Sequence, residues 1–174
     1  MSSRFGRRGS RPSWAVLLTV AVLFIYQWYQ KRNQPVIPDA LSEGKYKGER
    51  VVDGYTLVLD NQLRVRLIGV DTPETVAPGK PVQAFGPEAT AFTKQFLAGG
   101  WVRLQFDKER KDRYDRYLAY VYVEDQMLNE ALLRAGLAKA ATDFRFSDAF
   151  KRRFREAEAE ARQARLGLWS AENN

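Results

Sequence analysis

Three short stretches that alternate or run apolar, Tyr46 to Val52, Tyr55 to Leu59 and Leu63 to Val70, follow one another, separated only by an Asp53-Gly54 break and an Asp60-Asn61-Gln62 break. Alternation at period two, or a brief apolar run bounded by turn residues, is the pattern of a strand buried on one or both faces. Breaks this short admit tight reversals and little else. The chain is therefore committed to a three-stranded meander.

The remaining elements hang on that meander. Pro87 opens a helix over GPEATAFTKQFL, with Ala91, Phe92, Gln95 and Phe96 at helical spacing and Gly99-Gly100 as its stop. Trp101 to Phe106 predicts a fourth strand and Leu118 to Val123 a fifth. A short helical turn over Met127 to Ala135 ends at Gly136, and a longer helix runs from about Asp148 to Leu166. In that last helix Phe150, Phe154, Ala157 and Ala161 form one apolar stripe, while Glu158 and Arg162 sit four apart on the wet face. Five short strands with a helix inserted after the third predict an α+β fold. Its centre is a small closed β-barrel, a five-stranded OB-fold with about three helices, preceded by one hydrophobic N-terminal helix.

That N-terminal segment explains the charge. The net charge of +7 suggests nucleic acid until it is located: Arg4, Arg7, Arg8, Arg11, Lys31 and Arg32 carry six of the 28 basic groups, leaving 22 against 21 acidic groups from Asn33 onward. Bulk charge therefore speaks for membrane topology, and nucleic-acid binding must come from local patches. Trp14 to Tyr29 is free of charge, follows four arginines and ends in Tyr26, Trp28 and Tyr29. It reads as a membrane insert over residues 14–29, either a retained anchor or a cleaved export signal. The bulky exit QWYQKR favours the anchor, and the arginines keep the amino end in the cytoplasm, which places the domain on the extracytoplasmic side; secretion after cleavage is the alternative. The expected organisation is residues 1–32 as basic start and anchor, 33–44 as a Pro-containing linker, and 45–170 as the folded domain.

The chemical inventory is narrow. The chain has no cysteine and no histidine, so disulfides, the commonest general base and the usual zinc ligand are all excluded. Carboxylates, tyrosines and arginines remain. Arg66 stands five residues ahead of the turn Asp71-Thr72-Pro73-Glu74. Asp71 can hold a hard cation, Glu74 can take a proton from water, and the planar fork of Arg66 can grip a phosphate. Arg116, in DRYDRYLAY, supplies a second guanidinium, and Tyr114 and Tyr117 interleave with the charges there. The loop from Thr75 to Gly86 offers few core anchors and is expected to be mobile.

The motifs VVDG (51–54), RLIGVDTPET (66–75), FDKERKDRYDRYLAYVY (106–122), NEALLRAGLAK (129–139) and LGLW (166–169) occur in that order. Together they make residues 45 to 169 resemble the staphylococcal nuclease, or thermonuclease, family. The resemblance implies an OB-fold nuclease acting on single-stranded DNA or RNA, with Arg66, Glu74 and Arg116 as the catalytic set. It also implies calcium (Ca2+) held by Asp71 and the backbone carbonyl of Thr72, with Tyr114 near the bound phosphate and no protein partner.

Two positions depart from the family pattern. The usual strand-ending motif is Asp-Gly-Asp-Thr, and here Tyr55 stands where its second aspartate would ligate the metal. A neutral phenol is a poor ligand for a hard cation, so metal affinity is expected to fall, unless Asp53, two residues earlier, faces the same side. Second, a tyrosine expected after LAK to stack on the base is absent, and Phe144 is the nearest ring that can serve. Two function classes follow: a calcium-assisted phosphodiesterase, or a metal-deficient OB-fold module that binds nucleic acid or a protein without cutting.

Overall fold

The computed structural model describes residues 14–32, 41–75, 79 and 81–170. The chain divides into two compact units, Met1–Pro38 and Asp39–Asn174. In the first, Trp14–Arg32 is helical (α1). Its polar and charged end, from Gln27 to Arg32, shortens the apolar part, and no described helix is long and apolar enough to cross a membrane. The expected membrane insert over 14–29 is thus not supported as a span. Of the expected linker over 33–44, residues 33–40 lie outside the described residues, and Leu41 is buried in the core of the second unit.

That unit begins with a long strand β1 (Gly44–Asp53), followed by β2 (Thr56–Leu59) and β3 (Arg64–Leu67). The meander is as the alternation demands, with β1 against β2 and β2 against β3, both antiparallel. Two register shifts, between Gly48 and Arg50 and between Val51 and Asp53, turn β1 through a corner. Its first half, Gly44 to Lys47, can then pair with β5 (Trp101–Gln105) while its second half stays with β2. Bulges serve barrels in this way, by bending one strand so that it belongs to two faces.

The barrel closes through β6 (Tyr117–Val123), which is antiparallel to β5 and parallel to β3. Five strands, β1, β2, β3, β5 and β6, therefore make a closed barrel of the OB type. The outer face of β6 is covered too: the Tyr120 ring lies 4.1 Å from Phe150, centroid to centroid, and stands edge-on to Phe154. Both phenylalanines lie on helix α4 (Asp148–Gln163), so the predicted apolar stripe is core, and six successive residues of β6 are buried. The other elements are α2 (Gly86–Phe96), a two-residue β7 (Gln126–Met127), α3 (Leu128–Arg134) and, after a turn at Gly136, β8 (Lys139–Ala140); a 3-10 turn over Gly167–Trp169 closes the described chain.

The expected strand from Leu63 to Val70 is broken. It stops at Leu67, turns at Ile68-Gly69 and resumes as β4 (Val70–Asp71), a two-residue ribbon against β8. Gly69 makes the break: its φ is +76°, and a Cβ there would stand 2.6 Å from the Phe154 ring and 2.8 Å from Phe146. Only glycine combines that backbone with so close an approach to two rings. The turn redirects the chain so that Asp71, Thr72 and Glu74 emerge at one end of the barrel. Of the loop expected to be mobile, residues 76–78 and 80 lie outside the described residues, and its far side is tied back by the Gln83 N–H donating to the Glu74 carbonyl at 3.0 Å.

Candidate active site

Barrel topology decides which side chains can meet. Thr56 stands opposite Arg66 on one side of β3, and Leu118 stands opposite it on the other. Tyr55, one residue before Thr56, and Arg116, two before Leu118, are thereby brought to either flank of Arg66, although sequence separates them widely.

Arg66 is almost fully buried. One nitrogen donates to the Leu67 carbonyl at 3.0 Å and the other faces the Asp71 carboxylate at 3.8 Å. Burial pushes its guanidinium below its ordinary value, and the neighbouring Arg116 adds to that; the negative groups at Asp71 and Asp112 oppose it. Arginine starts so high that it stays charged.

Arg116 is held by its own loop. Asp112 accepts from Arg116 Nε at 2.8 Å and pairs with Nη2 at 2.7 Å. The other carboxylate oxygen accepts the backbone N–H groups of Tyr114 at 2.9 Å and Arg116 at 3.1 Å. One aspartate therefore shapes the turn and aims the guanidinium at once. Burial alone would raise the Asp112 carboxyl, but these Arg116 and Tyr114 donors outweigh it and hold it below the usual carboxylate range.

The two arginines share a ring. Tyr55 lies with its centroid 4.7 Å from the Arg66 guanidinium carbon and 5.9 Å from that of Arg116. Phe144 stacks near Arg66 at 5.4 Å, and Tyr114 near Arg116 at 5.5 Å. An open cavity of about 440 Å³ runs over this group, lined by Arg66, Arg113 and Arg116, by the rings of Tyr55, Tyr114 and Phe144, and by the acids Glu109 and Asp112. Tyr114 and Phe144 are exposed at its rim, whereas Tyr117 is buried in the barrel and is not available to a ligand. A cationic floor with exposed aromatic walls suits a phosphate with a base attached.

Glu74 stands beside this cavity rather than in its lining. Its backbone N–H donates to Gln83 Oε1 at 2.9 Å, its Oε1 accepts the Thr75 N–H at 3.2 Å, and its charge acts on both Asp53 and Tyr55. Gln83 thus anchors Glu74 from both sides of the peptide, a role that no sequence signal announced. Asp112 did leave one, an Asp four residues before Arg116 in a turn.

The expected calcium ligands offer few free oxygens. Asp53 is buried and its Oδ1 accepts the Tyr55 N–H at 3.0 Å, so its carboxylate caps its own turn instead of presenting to an ion. Burial also raises its carboxyl above the ordinary value. Asp71 is largely exposed and faces Arg66. Tyr55 is raised by burial and by the nearby carboxylates, so it remains a neutral phenol. The ligand expected at Thr72 is its backbone carbonyl; its Oγ1 is buried with no hydrogen-bond partner, and a single hydroxyl is not a site. Among the described residues no three carboxylate, histidine or cysteine side chains come together as a metal group. A calcium ion wants six to eight oxygens, and this donor set does not fit it.

Residues 64–171 match the family described as staphylococcal nuclease homologue. The chain belongs to the staphylococcal nuclease family. Within it, a thermonuclease of Staphylococcus hyicus is 39% identical over 161 residues, 89% of this chain and 95% of that protein. A thermonuclease of Staphylococcus intermedius is 45% identical over 160 residues, 88% of this chain and 94% of its own length. The endonuclease YncB of Bacillus subtilis (strain 168) is 40% identical over 126 residues, 70% of this chain and 60% of that protein. This staphylococcal nuclease homologue is thus similar along most of its length to proteins named thermonuclease, and its barrel is of the OB type.

Proposed function

We propose that this chain hydrolyses phosphodiester bonds in single-stranded DNA or RNA. The observation that carries the reading is the convergence of Arg66 and Arg116 on one open cavity walled by Tyr114 and Phe144. In the proposed step a water oxygen bonds to phosphorus as one phosphorus–oxygen ester bond breaks. The water's proton passes to the Glu74 carboxylate, and the departing oxygen takes a proton from solvent. Negative charge gathers on the equatorial oxygens of the transition state, where two fixed guanidiniums stabilise it more than they stabilise the ground state. Arg66, already stripped of most water, acts at short range through a low dielectric. Tyr114 and Phe144 would stack on the bases flanking the scissile phosphate.

No step is routed through calcium, because the donor set does not fit it. That same feature favours the binding-module reading, in which nucleic acid is held without being cut. Hydrolysis by the full chain of single-stranded DNA and of RNA, each with a chelator and with calcium, separates the two. Cleavage in either condition supports the enzyme; binding without cleavage in both overturns it.

The basic start and the charge-free run over 14–29 support a place outside the cytoplasm, with the segment serving as export signal or membrane attachment. The mass of the mature chain from its native host tests this. A cleaved product found in the medium means secretion, an intact one in the membrane fraction means anchoring, and an intact chain in the cytosol refutes both.

A further inference from the structure

We infer that the Tyr55 ring is a positioning residue that holds Arg66 and Arg116 together as a preformed phosphate clamp, so that this chain captures a nucleic-acid phosphate without calcium. The inference rests on the nuclease reading for its substrate, but its geometry stands apart from the chemistry.

Two guanidiniums aimed at one small volume repel each other; Asp112 on Arg116 and Asp71 at 3.8 Å from Arg66 offset part of that from the outer sides, and what lies against both cations at once decides the rest before a phosphate arrives. A divalent cation cannot offset it, since it adds positive charge; its role would be to bind phosphate alongside them. A π face can, because its negative quadrupole attracts both cations at once. Tyr55 lies 4.7 Å from one guanidinium carbon and 5.9 Å from the other, the only ring among the described residues placed against both. The backbone that carries the ring is fixed. The Tyr55 N–H donates to Asp53 Oδ1 at 3.0 Å, and its carbonyl accepts the Leu67 N–H at 2.9 Å, which ties the Tyr55 backbone to the strand carrying Arg66.

The remaining contacts complete the clamp from the far sides. Asp112 grips Arg116, whose Nη1 also reaches Thr56 Oγ1 at 3.5 Å, and Leu67 O holds Arg66. Asp53, the carboxylate nearest in sequence, is spent on the turn that aims the ring. The residue that stands where the resemblance implies a metal ligand therefore supplies the ring that organises the arginines. Preorganised donors need no rearrangement when charge appears, which is the property a phosphate clamp requires.

The test uses the full chain, a 5′-phosphorylated single-stranded oligodeoxynucleotide, and three variants, Tyr55→Phe, Tyr55→Leu and Tyr55→Asp. Binding is read by fluorescence anisotropy and cleavage by gel, each with a chelator and with excess calcium. Wild type is expected to bind equally in both conditions, and Tyr55→Phe, which keeps the ring, to match it. Tyr55→Leu keeps bulk without a π face; it should bind about tenfold more weakly, and KM should rise by a similar factor, in chelator and calcium alike. Tyr55→Asp should bind poorly in chelator and recover on adding calcium. Wild-type binding that is lost in chelator and restored by calcium overturns the inference, as does equal binding by the Leu and Phe variants. Calcium-independent binding that depends on the ring, with no cleavage by any protein, upholds the clamp and refutes the nuclease reading.

Discussion

Asn129 stands fully buried at the second residue of α3, and it fills a gap in the barrel's hydrogen-bond ladder. β3 pairs with β6 only as far as Ala119, and β7 takes up β6 at Tyr122, so that edge of β6 faces no strand at Tyr120 and Val121. The side chain replaces the missing strand. The Val121 N–H donates to Asn129 Oδ1 at 3.0 Å, and Asn129 Nδ2 donates to the Ile68 carbonyl at 2.8 Å and to the Ala119 carbonyl at 3.3 Å. Of these three backbone groups, the Ala119 carbonyl keeps another partner, the Ile68 N–H at 3.0 Å. Asn129→Ala therefore orphans two buried groups. Each costs about 1–3 kcal/mol when no water reaches it, and partial hydration of the small void puts the sum at about 3 kcal/mol. For a domain of this size each kcal/mol lowers Tm by about 3–4 °C, giving a fall of about 10 °C in a circular dichroism melt. Asn129→Asp should do no better, since it can still accept from Val121 but cannot donate to Ile68, and it buries a charge. A Tm unchanged in Asn129→Ala would refute the assignment of this amide as a ladder substitute.

Gly69→Ala should lower Tm sharply and reduce soluble yield, because the new Cβ meets the Phe154 and Phe146 rings at 2.6 and 2.8 Å on a backbone with φ of +76°; an unchanged melt would mean the two rings can move aside. Asp112 titrates below its ordinary range through Arg116, so its stabilisation is complete above about pH 4 and is lost as pH falls through the lowered value. Acid unfolding of Asp112→Asn should accordingly be less steep below about pH 4 than that of wild type, and identical slopes would remove the linkage. Phe144→Ala should raise KM for an oligonucleotide about tenfold with little change in kcat, as expected for a stacking wall; a fall in kcat alone would place Phe144 in the chemistry instead.

The strands and helices were legible because their signals are local. Alternation marks β1 to β3, and the Phe150, Phe154, Ala157, Ala161 stripe marks the face of α4 that enters the core. The parallel pairing of β3 with β6 was not, since nothing near Val65 announces Tyr117 as its partner. That pairing is what buries Tyr117, although in sequence it interleaves with the charges of the loop just as Tyr114 does. The two-residue ribbons β4, β7 and β8 are too short to show any period. Within the site, the residue types were readable and their directions were not. Asp53 looked free to face an ion, but the Gly54 turn folds its carboxylate back onto the Tyr55 N–H. Tyr55 read as a lost ligand; its second property, a ring against both arginines, depends on β2, β3 and β6 standing side by side.

The phosphate grip of Arg66 is the point on which the function turns, and the rate of single-stranded DNA cleavage by wild type and by Arg66→Lys tests it most directly. Lysine keeps the charge but loses the fork that faces both the cavity and Asp71. Wild type should cleave, and Arg66→Lys should be slower by at least about 100-fold while still folding cooperatively. Equal rates for the two proteins, or no cleavage by wild type with or without calcium, would contradict a guanidinium-based phosphodiesterase.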